Sequence, residues 1–276
     1  MAWLTSQSVW VLLVGCLGVF SLMAAGSCIA VRAFIPPHDR DAAHAIAAAL
    51  MTAFAAAFAI LAGLTLSDEA GYLTSAQAIV SNEAADASRL AWAATSPGVD
   101  TAEVHSALLG YLQATRTYEW HGNNAASGDD ARTDRALANL ERVVRAQAAL
   151  PSVGTPASNE LLASLDAVTS DRRARLAAAA RQLPGLYVIT LFVIGAALIL
   201  NASVLAMRTR LRGALSVGAL AVVAGLTMAL LFALGTPWRG PIVVSGQPLD
   251  GVIHDLRTGY FTAGQPAPGT PAANHH

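Results

Sequence analysis

The sequence predicts an all-α integral membrane protein: four transmembrane helices in two hairpins, with a helical extramembrane bundle between spans two and three. Three observations carry that prediction. Of the 276 residues, 54% are apolar and only 13% charged, about half the charged share of a soluble domain. Four runs, Val9–Val31, His44–Leu66, Pro184–Met207 and Gly213–Gly235, contain no Asp, Glu, Lys or Arg. Each meets the length of about 20 residues that crosses about 30 Å of hydrocarbon. Between the second and third runs, apolar positions recur at threes and fours, as on a helix.

The first span is expected to remain in the chain. Leu13-Val14-Gly15-Cys16 has the composition of a lipoprotein cleavage box, but no charge precedes Arg32 and the apolar run continues well past Cys16. A signal peptide needs a positive start and a short apolar core. Cys16 and Cys28 lie too far apart along one helix to bridge each other, so both read as small packing residues. Pro36 and Pro37 cannot both continue a helix and separate the first two spans. Arg208, Arg210 and Arg212 separate the last two. Both pairs therefore read as tight antiparallel hairpins.

Residues 67–183 carry 10 Arg against 14 acids. Tyr72, Leu73, Ala76, Ile79, Val80, Ala87 and Leu90 make a stripe that continues the second span out of the bilayer. Val104, Leu108, Tyr111, Leu112 and Thr115 make a second stripe, after a cap at Asp100 or Thr101. Leu137, Leu140, Val143, Val144 and Ala148 make a third. Leu161, Leu162, Leu165, Val168 and Leu176 make a fourth, which leads through Pro184 into the third span. The breaks at 121–130 and 151–159 are rich in Gly, Asn, Ser and Pro, as loops are. After the last span, residues 236–276 form a tail. It holds a short β-prone run at 242–245 and is expected to be disordered after about 264.

Charge and motif content exclude several functions. All 17 basic residues are Arg, and 18 acids leave a net charge of −1, without the basic excess of a nucleic-acid binder. The seven His are scattered, and no HExxH, no CxxC and no Gly-rich loop after a strand occurs. No enzyme activity, cofactor or metal is therefore expected. Asp129, Asp130 and Asp134 sit at a helix start, where acids complement the macrodipole, and lack the ligand loop of a calcium site.

The order of several features resembles the bacterial bestrophin-like family, over roughly residues 35–255. The features are the Ala- and Phe-rich second span opening with His44, and the step Glu83-Ala84-Ala85. Tyr111 follows, with Glu119-Trp120 at a helix end, and then the run Asp171-Arg172-Arg173-Ala174-Arg175-Leu176 before the third span. The last feature is Pro237-Trp238-x-Gly240, similar to the family's Pro-Phe-x-Gly. The sequence departs from the family in having Trp238 for Phe, no acid before Pro237 and no Pro after Trp120. True bestrophins are pentameric anion channels whose second helix lines an apolar neck. The resemblance thus implies a similar layout, with the polar helices as a vestibule.

Within that frame, Leu50, Phe54 and Phe58 stack at i, i+4 and i+8 on the second span and are pore-lining candidates, since apolar constrictions gate by dewetting. Ordinary bundle or lipid contacts are the alternative. Ala221, Gly225, Ala229 and Ala233, and likewise Ala45, Ala49, Ala53 and Ala57, form small-residue stripes for close helix packing within or between subunits. Asn201, with Ser203 two residues on, is the strongest polar group inside a span and reads as a partner in an interhelical hydrogen bond. Trp120 reads as a plug of the bundle, with a docking point at Glu119 and Trp120 as the alternative.

The expected partners are the lipid bilayer, further copies of the same chain and a protein docked at the helical bundle. Ala and Arg richness without Lys points to a GC-rich bacterial genome and hence a bacterial cell membrane. Five Arg in the hairpin loops face five near the opposite span ends. The first span, with no Arg before it and two after it, places the termini and the bundle outside; analogy with bestrophins places the bundle in the cytoplasm. The leading expectation is an oligomeric passive channel for anions or small solutes. The alternative is a non-conducting scaffold or accessory subunit whose bundle docks a partner.

Overall fold

The computed structural model describes residues 9–120, 125, 130–181, 184–208, 210–235, 238 and 243–261. They form helices α1 (Val9–Phe34), α2 (Arg40–Ala93), α3 (Thr101–Tyr118), α4 (Ala131–Ala148), α5 (Thr155–Ala180), α6 (Gly185–Leu205), α7 (Arg210–Leu234) and α8 (Gln247–Thr258). Single 3₁₀ turns lie at Pro37–Asp39 and Ala206–Arg208. No strand occurs among the described residues, and the described part of the β-prone run, 243–245, has no regular structure. Four helices are long and apolar enough to cross a membrane.

The chain divides into two compact units, residues 1–74 with 181–243, and 75–180 with 244–276. Helix α2 runs through the division without a break, as its continuous stripe predicts. In the first unit, α1 packs on α6 and α7 around Phe20, Phe58, Leu191, Ile199, Ala221 and Leu231. In lipid, apolar surface alone does not drive helices together, so close approach through small residues has to. Gly225 shows this directly: a Cβ there would sit 3.1 Å from the Leu17 Cα. Gly195 likewise leaves room for the rings of Phe20 and Phe58, each 3.3 Å from where its Cβ would be. Asn201 Nδ2 donates to the Ala47 carbonyl at 2.9 Å, and the Ser27 and Ser203 hydroxyls meet at 2.6 Å. Large apolar side chains such as Trp10, Leu22, Ile29 and Leu186 point outward, an exposed surface that only lipid or protein could cover.

Just beyond the apolar part of α2, Arg181 bonds Asp68 at 3.0 Å, lies 3.6 Å from Glu69 and stacks on Tyr72 at 4.2 Å. Residues 68–74 and Arg181 belong to the first unit.

The second unit is helical throughout its regular elements, with α4 packed on α3 and α5, and α8 on α3. Asp100 caps α3 by accepting from Glu103 N at 3.0 Å. Asp130 caps α4 through Arg132 N and Thr133 N. The α2–α3 connection turns at Gly98, whose φ of +89° brings it against Ser152.

Helix α8 has no counterpart in the sequence reading, which treats the tail as irregular. Leu249, Val252, Ile253 and Leu256 are buried along one face, and Gly259, at φ +74°, ends the helix in the left-handed conformation. Phe261 then packs on Trp92 with ring centroids 5.4 Å apart. The Gln77 side chain holds Ser245 as a strand partner would, accepting from its N–H at 2.9 Å and donating to its carbonyl at 3.2 Å. The remaining tail, including the segment expected to be disordered after 264, lies outside the described residues.

Candidate functional site

Inside the second unit, side chains from α2, α3, α4 and α5 meet in one buried ionic network. Its centre is Arg175 on α5, fully buried. Its Nε donates to Glu83 of α2 at 2.7 Å, and its Nη2 to Glu119, just past α3, at 3.2 Å. Arg172, one turn earlier, also donates to both Glu119 oxygens, and to Asp134 of α4 at 2.7 Å. Tyr111 of α3 donates its hydroxyl to Glu83 at 3.1 Å. Two carboxylates with no solvent exposure, Glu83 and Glu119, thus balance two guanidinium groups. Ion pairs this dry persist only when each charge is matched and hydrogen-bonded.

The electrostatics follow from the geometry. Burial pulls the Arg172 guanidinium towards deprotonation, but its bonds to Glu119 and Asp134 outweigh that and push its pKa up. Burial opposes the charge on Arg175 too, and the Glu83 carboxylate more than offsets it. Tyr111 is held well above the usual phenol range by burial and by the Glu83 charge beside it.

Trp120 closes the network on one side. It is buried, with the Arg116 guanidinium 4.6 Å and the Arg175 guanidinium 5.7 Å from its ring centroid, a cation–π stack. Arg116 in turn grips Asp250 of α8 with two bonds of 2.7 and 2.8 Å. A Cβ at Gly246 would run into the Arg116 guanidinium, so the bare backbone there lets that arm through. The arrangement contains no nucleophile–base pair and no open coordination site; it can bind helices together and hold charge. Among the described residues, no group of three or more His, Cys, Asp or Glu gathers as a metal would require.

Comparison with known proteins adds one positive finding. The family model of the bestrophin-like domain matches residues 18–249. The chain belongs to the bestrophin-like family. No curated protein and no solved structure matches it. The family includes anion channels, and in this bestrophin-like protein six of the residues that carry the sequence resemblance come together. Glu83, Tyr111, Glu119, Trp120, Arg172 and Arg175, spread over 92 positions of sequence, form the single network just described. Trp120 is buried inside the bundle. Trp238 of the closing motif is buried next to Tyr72, while Pro237 and Gly240 lie outside the described residues.

The other sequence candidates lie in the first unit and separate. Leu50 is 44% exposed, Phe54 is half-buried against the core, and Phe58 is 6% exposed. Steps of four residues advance the direction by about 40° each on a helix of 3.6 residues per turn. The stripe therefore turns, and Phe58 ends against Gly195 and Phe20 inside the chain's own core. The two small-residue stripes also differ. Ala221, Gly225 and Ala229 are buried, Gly225 against Leu17 of α1, whereas Ala45, Ala49 and Ala53 remain exposed on α2.

Sequence reasoning quotes the acids, the Tyr and the Arg run separately without joining them. The signal is present, because Leu161, Leu165, Val168, Arg172, Arg175 and Ala179 follow steps of four and three. They are the buried face of α5. Leu162, counted in the stripe from sequence, is 40% exposed.

Proposed function

We propose that this bestrophin-like protein is a homo-oligomeric channel of the bacterial cell membrane that passes anions or small solutes down their gradient. Family membership supports the channel class. The observation that carries the assembly is the free stripe Ala45, Ala49 and Ala53 on the second span. The equivalent stripe on α7 is already buried within the chain, whereas this face of α2 stays open to a neighbouring copy. In this reading Leu50 and Phe54 form the apolar constriction, and Phe58 braces α2 from behind. The spans form two hairpins, and the termini and the bundle face outward.

The decisive experiment is native mass spectrometry of the detergent-purified chain, followed by anion-flux assays in liposomes. A ring at an integral multiple of 28.4 kDa, five copies if the layout follows bestrophins, with flux that rises in Leu50→Ala, supports the reading. A monomer or dimer leaves no central axis and replaces the channel with a scaffold that docks a partner. Reporter fusions at the C-terminus test the orientation, since activity confined to the cytoplasm reverses it.

A further inference from the structure

Helices α2 and α5 run antiparallel in the second unit. Glu83 meets Arg175 at 2.7 Å, and further along α2, Arg89 meets Glu160, which lies earlier on α5, at 2.6 Å. Between these two rungs of opposite charge, the register places Asp86 against Asp171. Their carboxyl groups are in hydrogen-bond contact. The Oδ2 of Asp171 is sealed from solvent and meets no donor. Two carboxylates offer only acceptors, and a buried acceptor facing another is costly unless a donor stands between them.

The surrounding charged groups are occupied. Glu83, on the same helix as Asp86, is bonded to Arg175 of α5 and Tyr111 of α3. Arg172 of α5 is bonded to Glu119 and to Asp134 of α4. Arg89 is bonded to Glu160. None of these turns a guanidinium to the acid pair.

We propose that Asp86 and Asp171 hold one proton between them, and that this shared proton closes α2 on α5 as a pH-sensitive joint of the bundle. With the proton in place, one carboxyl donates to the other. Without it, two like charges face each other across the helix contact, with the Glu83 charge one turn away. The pKa of Asp171 agrees: burial first, then the hydrogen bond to Asp86 and the charges of Asp86 and Glu83, push it up to about 6 from 3.8. The folded form therefore retains a proton that the unfolded chain releases at lower pH. Stability from the joint is complete below about pH 4 and is lost as pH rises through about 6. This device does not require that the protein conduct.

The test is thermal unfolding of the full-length protein in detergent, followed by circular dichroism from pH 5 to 7.5. The wild-type folding equilibrium should weaken by about tenfold more over that range than in Asp171→Asn or Asp86→Asn. Each amide supplies a permanent donor that does not titrate. Comparison with the variants subtracts the histidines, His105 and His254 of this unit included. An equal pH step in wild type and both variants overturns the proposal. If a variant fails to fold, infrared titration of the wild type decides instead. A protonated-carboxyl band that disappears near pH 6 supports the shared proton, and its absence at pH 5 overturns it.

Discussion

Replacing Arg175 by Met tests whether the network is as dry as its geometry states. Met fills much of the same volume and removes the charge. Glu119 keeps Arg172 as a partner, so the damage falls on Glu83, which retains only the Tyr111 hydroxyl. Removing one partner of a buried ion pair costs about 3–5 kcal/mol. For a unit of this size, 1 kcal/mol moves Tm by roughly 4 °C, so the expected drop is about 12–20 °C. Adding Glu83→Gln should restore about half of the drop, because the amide no longer carries an uncompensated charge. Circular dichroism of the purified chain in detergent measures all three proteins. A shift below about 3 °C for Arg175→Met, or a double variant as unstable as the single one, would refute the reasoning.

Three further changes sample other parts of the fold. Gly98→Ala should lower Tm by the equivalent of about 1–3 kcal/mol, because the position has φ +89° and a Cβ would strike the Ser152 carbonyl; an unchanged Tm would show that the turn can rearrange. Gly225→Val should force α7 from α1, where Leu17 leaves only 3.1 Å, and expression in the membrane fraction should collapse while Gly218→Val, with open space around it, is tolerated. Asn201→Leu should cost only about 0.6 kcal/mol, since the Ala47 carbonyl that it bonds also lies within a continuous helix; a loss several times larger would give Asn201 a role beyond packing.

The legible and hidden parts of this protein differ for physical reasons. The spans stand out because the bilayer excludes charge over a fixed length, which leaves a local signature in the sequence. Stripes such as Val104, Leu108, Tyr111 and Leu112 stand out because their period is that of the helix itself. The network is harder to see because a charge on an amphipathic helix ordinarily faces water. Arg172 and Arg175 break that habit by sitting on the apolar face, and Glu83 does the same between Val80 and Ala87. Only their partners, one on each neighbouring helix, make that placement stable, and partnership across helices has no period to read. Phe58 was hidden differently, by a drift of direction that accumulates over two turns. Helix α8 carries a regular stripe and a Gly stop, but with Pro248 and Gly251 inside it and only 12 residues its propensity is weak, and packing supplies what propensity lacks.

The second unit is assembled from two stretches of chain, 75–180 and 244–276, with the last two spans encoded between them. During synthesis Trp92 and the apolar face beneath α8 must wait, uncovered, until both spans have been made. In the proposed hairpin arrangement the last two spans return the tail to the side of the bilayer that holds residues 75–180, where it can reach them. In that arrangement, completion of the bundle depends on insertion of both spans. On that arrangement, a chain in which only one of the two spans crosses would hold α8 on the far side of the bilayer and leave the face that Leu249, Val252, Ile253 and Leu256 cover open.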